Sequence, residues 1–219
     1  MATTNPQIDR WRQELEVVHN EIVGLAHNRR LFRDIFEIVN ANPRLPKSSA
    51  VYGWMIDGYV SLATMAVRRQ VDERPDVVSF AHLLGGIAAS PQIITRAWFV
   101  SQYHHPATAW ADKDFDAFDP GRYGSVDPQI VSDDLNRLKT TAGAVETFAN
   151  KHIAHRDRKI ALKQAATPPT VTWGELNKAI DFLAELLAKY ELLLTQRKML
   201  GAEPVIQSDW QEVFRLPWI

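Results

Sequence analysis

A chain of 219 residues, 46% hydrophobic and 23% charged, carries enough apolar surface for one sizeable core and is not a disordered segment. Its 25 basic and 26 acidic side chains nearly cancel, so no global field draws it to nucleic acid or an anionic membrane, and any polyanion site has to be local. The lack of cysteine removes disulfides, thiolate nucleophiles and cysteine zinc sites, and together with an N-terminus unlike a signal peptide it predicts a cytoplasmic protein.

The first predicted element is a long helix. Ile8, Trp11, Leu15, Val18, Ile22 and Leu25 recur in steps of three and four, behind Asn5-Pro6 as cap and first turn. The same phase runs on through Phe32, Phe36 and Val39, with a break expected around Gly24 to Asn28, until Pro43 and Pro46 end it. A second helix starts at Ser48 or Ser49. It carries Tyr52, Met55, Tyr59, Leu62, Ala66 and Arg69 on one face and Val51, Trp54 and Gly58 on another, which predicts a central buried helix. Asp57 keeps this apolar stretch from reading as a membrane span, and as a buried carboxylate it is expected to find an arginine or to orient a histidine.

Helices follow over Ser79 to Ala89 and from Pro91 to about Tyr103, with Gly85-Gly86 permitting close helix approach. Residues 104–127, rich in proline, glycine and aspartate, read as one long loop. Within it His104-His105 and Asp112, Asp114, Asp116 and Asp119 have no metal-site spacing, and neither a metal nor another cofactor is expected. Asp127-Pro128 opens a helix with Val131, Leu135, Leu138, Ala142, Val145 and Ala149 inward, ending beyond His155. The last long helix begins with a capping box, Thr172 to Glu175, and buries Leu176, Ile180, Leu183, Leu187, Tyr190 and Leu194. A tail over 207–219, with Trp210, Phe214 and Trp218, is expected to dock on the body or on a second subunit. The whole predicts one all-α domain, an antiparallel bundle of about five to six helices.

No phosphate loop, His-Glu-x-x-His pair or nucleophile elbow is present. The informative segment is Asn150-Lys151-His152-Ile153-Ala154-His155-Arg156-Asp157. Two imidazoles lie at the edge of the inward stripe, among Lys151, Arg156, Arg158, Lys159 and Lys163 with only Asp157 to oppose them. Such a local basic patch suits phosphates, and RNA or a nucleotide is the expected ligand of Lys151, His152, Arg156, Arg158 and Lys159.

This segment resembles the Arg-Asn-Lys-x-x-Ala-His stretch of the HEPN superfamily, and Val67 to Asp72 with Ser79 to Leu84 resembles its abortive-infection, AbiU-like branch. The resemblance implies a dimeric helical bundle in phage defence or a toxin–antitoxin pair, whose paired motifs form a metal-independent ribonuclease site. His155 matches the family histidine, a general acid or base, and Asn150 its polar partner. The family arginine has no counterpart: the positions where it would stand are Asn150, Ala149 and Phe148. Loss of such a donor costs roughly 100- to 1000-fold in rate. The expected function is therefore RNA or nucleotide binding by a homodimer. The alternatives are an endoribonuclease using His155 and a substitute cation such as Arg156, or a regulatory module that binds a partner protein.

Overall fold

A computed structural model describes residues 5–43, 49–103, 108–154, 158–162, 169–203 and 209–214. Eight α-helices are found among them, and no strand; Thr95 and Ser125 form an isolated antiparallel bridge. Four helices are long: α1 (Pro6–Ala41), α2 (Ala50–Gln70), α6 (Pro128–Phe148) and α8 (Trp173–Thr195). Between α2 and α6 lie α3 (Phe80–Ala89), α4 (Arg96–Ser101) and α5 (Thr108–Phe115), and a single turn, α7 (Arg158–Ala161), precedes α8.

The ends of these helices are set locally. The Asn5 side chain accepts from the N–H of Gln7, Ser49 from Tyr52, Ser79 from His82 and Asp127 from Gln129, each answering an amide that the helix itself leaves unbonded. At α8 the capping box is complete, with Glu175 N–H donating to Thr172 Oγ1 at 3.2 Å and Thr172 N–H donating back to the Glu175 carboxylate at 2.8 Å.

Cross-helix partners give the topology. As the chain advances along α1 from Arg12 through His19 to Arg29, the partners on α8 retreat from Leu194 through Glu191 to Asp181. Pairs Phe32–Tyr59 and Phe36–Tyr52 show the same reversal between α1 and α2, and Asp134–Lys189 with Arg137–Phe182 shows it between α6 and α8. The long helices form an antiparallel, up-and-down bundle, with α3 packed on α6 and α1. The expected stripes of α1 and α8 are buried throughout the bundle, and each large side chain so enclosed contributes about 1.5–3 kcal/mol. A Cβ on Gly86 would meet Trp11 Nε1 at 3.1 Å, so this glycine admits the indole of α1 against α3.

Several expectations are corrected. Helix α1 runs unbroken through Gly24 to Asn28. Pro91–Ile93 is a separate 3-10 turn, because Thr95 accepts from Trp98 N–H and so caps a new helix, α4. The expected loop over 104–127 contains α5. Helix α2 is central only over its second half. Tyr59, Ala63, Ala66, Val67 and Gln70 face inward, whereas Val51, Trp54 and Leu62 are 69%, 76% and 46% exposed, and Asp57 lies in solvent. An all-round apolar pattern does not separate a face turned to the core from one turned outward, so it placed Asp57 and Leu62 wrongly. No helix among the described residues is long and apolar enough to cross a membrane. Of the tail, Trp210–Phe214 forms a 3-10 turn with its two rings edge to face at 6.1 Å, and Trp218 lies outside the described residues.

Candidate functional site

The regular winding of α6 stops at Phe148, and Ala149–Ala154 continues as a π-helix. The wider turn alters the register in which His152 followed Leu138 and Val145, and such turns recur at functional sites. Ala149 anchors the segment in the core while Lys151 and Ile153 face outward. The His152 ring stacks on Phe148 with centroids 4.8 Å apart, and its Nε2 is buried without a hydrogen-bond partner. A buried unpaired ring nitrogen is costly, by about 1–3 kcal/mol.

Helix α2 ends against this turn. Arg68, in its last turn, donates from Nε to the side-chain oxygen of Asn150, so a guanidinium from 82 positions earlier stands beside the polar residue of the motif. Among the described residues no carboxylate lies within ion-pair distance of Arg68, whereas Arg10, Arg29, Arg74, Arg96 and Arg122 each have one within 3.3 Å. The open cleft here is walled by Arg68, Asp72, Glu73, Arg74 and Glu146. Hydrogen bonding from Arg74 holds the Asp72 carboxyl below its usual range, and Lys139 pairs with Glu73 at 2.8 Å. Arg68 and Glu146 are left as the two charges of this cleft without an ion-pair partner among the described residues.

Of the residues expected at the site, Asn150 is half-buried and oriented by Arg68, and His152 is packed on Phe148. Lys151, Arg158 and Lys159 are exposed. His155, Arg156, Asp157 and Lys163 lie outside the described residues, as do His104 and His105. Arg68 was missed as a site residue because nothing local in the sequence joins it to Asn150.

The histidine-orienting carboxylate expected of Asp57 is found elsewhere. Glu191 on α8, 3% exposed, meets His19 Nδ1 at 2.8 Å and accepts from Thr195 Oγ1 at 2.7 Å. The aspartate-rich segment is equally specific in its bonding. Arg96 reaches Asp112, Asp116 and Asp119, Arg122 reaches Asp112 and Asp116, and Asp119 also accepts from Tyr123 and Gly124 N–H at 2.7 and 2.9 Å. Burial works against the charge of Asp119, but those backbone donors and Arg96 outweigh it and hold the carboxyl below its ordinary range. Among the described residues no three histidine or carboxylate side chains converge to hold a metal ion.

Comparison with known proteins gives one family. The HEPN_AbiU2 model, described as AbiU2, matches residues 8–212, nearly the whole bundle. No curated protein and no solved structure matches the chain.

Proposed function

The chain belongs to the AbiU2 family of HEPN proteins, a phage-defence family of abortive-infection type, and from that premise we propose that it binds RNA at the π-turn of Ala149–Ala154. One observation carries the reading: Arg68 donates to Asn150 and restores a cation to a motif whose own arginine is absent. With Nε held by a neutral amide, its two terminal nitrogens have no carboxylate to neutralise them, and a guanidinium so presented suits a phosphate. Lys151, Arg158 and Lys159 add exposed positive charge near the motif in sequence.

The same observation favours cleavage as a second reading. His155 would move the proton of the ribose hydroxyl and Arg68 would stabilise charge on the phosphorane, with no metal required. Homodimerisation belongs to the proposal, and α2 supplies the surface. Val51, Trp54, Gly58 and Leu62 share a solvent-facing stripe, and Arg68 follows Leu62 and Met65 in steps of three along its edge. A second copy seated there brings two motifs near one another.

Binding of a mixed single-stranded RNA pool in EDTA, measured across salt concentrations for wild type, Arg68→Gln and His155→Ala, tests both readings. The expected result is salt-steep binding weakened about tenfold by Arg68→Gln, one charged hydrogen bond's worth. Cleavage lost in both variants establishes the ribonuclease reading. No binding by wild type at low salt overturns both and leaves the regulatory, partner-binding module. Light scattering tests the dimer separately, and a mass near 24.9 kDa breaks it.

A further inference from the structure

At the opposite end of α2 from Arg68, the C-terminal half of α1 and the first turns of α8 enclose an open cleft of about 480 Å³, within the range of small-ligand sites. Its floor is aromatic. Phe32 stacks on Tyr59 with centroids 4.1 Å apart and planes 7° from parallel, and on Trp173 at 5.5 Å. Trp173 is 46% exposed, leaving part of the indole uncovered at the rim. Arg29 and Arg33, one turn apart on α1, form one wall, and Asn177, one turn beyond Trp173 on α8, forms the other.

Two donors in this cleft lack acceptors. Tyr59 is 8% exposed and its hydroxyl has no partner; Arg29 places its terminal nitrogens on Asp181 and Glu203, yet its Nε is also buried and unpaired. Burial pushes Tyr59 up to about 12 against the opposing pull of Arg29, so it remains an O–H donor at neutral pH. Two orphaned donors side by side are rare in a folded interior and mark a place where an acceptor is missing. The Arg33 side chain is 54% exposed, and its nearest carboxylate, Asp34, is at 3.6 Å, beyond hydrogen-bond distance.

We propose that this cleft is a nucleotide site: the base stacks on Trp173, its acceptor edge turns to Tyr59 and Arg29, Asn177 reads the remaining edge, and Arg33 takes the phosphate. A planar ring with edge acceptors and an attached anion is what this set of groups complements, since stacking supplies affinity and the amide and arginines supply orientation. The site is separate from the motif at Asn150 and does not depend on the function proposed for it. The nucleotide's source is either the free pool or a strand of single-stranded RNA.

Calorimetric titration of the full chain with each of the four nucleoside 5′-monophosphates, and with a short single-stranded RNA, decides the matter. Wild type is expected to bind at least one of these probes, with Trp173→Ala weakening it about tenfold, the effect of losing one stacked base. Arg33→Gln should remove the advantage of a monophosphate over its nucleoside, and Tyr59→Phe, which removes only the buried hydroxyl, should weaken binding several-fold. Trp173→Phe serves as the variant if Trp173→Ala does not fold. Binding of the RNA but of no mononucleotide, still weakened by Trp173→Ala, assigns the site to a strand. No binding of any probe, or affinities indifferent to Trp173 and Arg33, overturns the proposal. RNA binding that falls with Arg68→Gln and not with Trp173→Ala overturns it while leaving the function proposed at the motif intact.

Discussion

Two clusters of charge in this molecule differ in how their groups are answered. Around Arg96 and Arg122, three aspartates meet two guanidiniums, and Asp119 is fully buried with its oxygens claimed by backbone N–H groups and Arg96; only the Nε of Arg96 lacks an acceptor. Around Asn150, Arg68 has one neutral partner, His152 keeps a buried nitrogen unbonded, and the backbone departs from α-helical winding. Reciprocated charges fix α4 and α5 to the bundle. Groups left partly unanswered are available to a ligand, and charge density alone does not distinguish the two cases.

The contrast breaks most readily at Asp119. Replacing it with alanine leaves Arg96 facing one fewer carboxylate and two backbone N–H groups without acceptors, which should cost about 3–5 kcal/mol in urea unfolding while RNA affinity of the folded protein stays unchanged. Acid acts on the same cluster. Asp119 and Asp116 are held below their ordinary carboxylate value, so their contribution is present above the unfolded value of about 3.9 and is lost as pH falls through the lower folded values. The urea midpoint should fall over that acidic window in wild type and fall less steeply in Asp119→Asn. At the other cluster the pattern reverses: Arg68→Gln should leave the urea midpoint nearly unchanged and lower RNA affinity about tenfold, with the salt slope reduced by about one. Glu146→Gln removes the carboxylate without an ion-pair partner from the cleft of Arg68 and should strengthen RNA binding two- to three-fold, roughly the effect of one screened like charge. An RNA affinity indifferent to both Arg68 and Glu146 would detach this cleft from the phosphate.

Helix starts were legible because each is a local event. Asn5, Ser49, Ser79, Asp127 and the Thr172–Glu175 pair announce themselves within a few residues, and the stripes of α1 and α8 follow from periodicity. Asn150 and His152 were found through a short motif. Arg68 was not, since its partner lies 82 positions away and joins it only after α2 and α6 pack antiparallel. Glu191 stayed hidden for the same reason, its histidine being 172 positions distant, while attention went to Asp57 on a helix face that proved to be exposed. Helix α5 was obscured by flanking prolines and glycines and by aspartates that suggested a solvated loop. Their arginine partners, Arg96 and Arg122, turn those aspartates into scaffold.

The π-turn behaves like a spare link in a chain. It holds one residue more than regular winding needs, so deleting a single position within Ala149–Ala154 would let α6 run on as ordinary helix and turn everything after it by about 100° around the axis. Insertions elsewhere in a helix are absorbed at its ends, but here the surplus sits between the core anchor Ala149 and the basic segment that follows. The direction in which that segment faces is therefore set by a count of residues, and altering the count by one would redirect it without changing a single side chain.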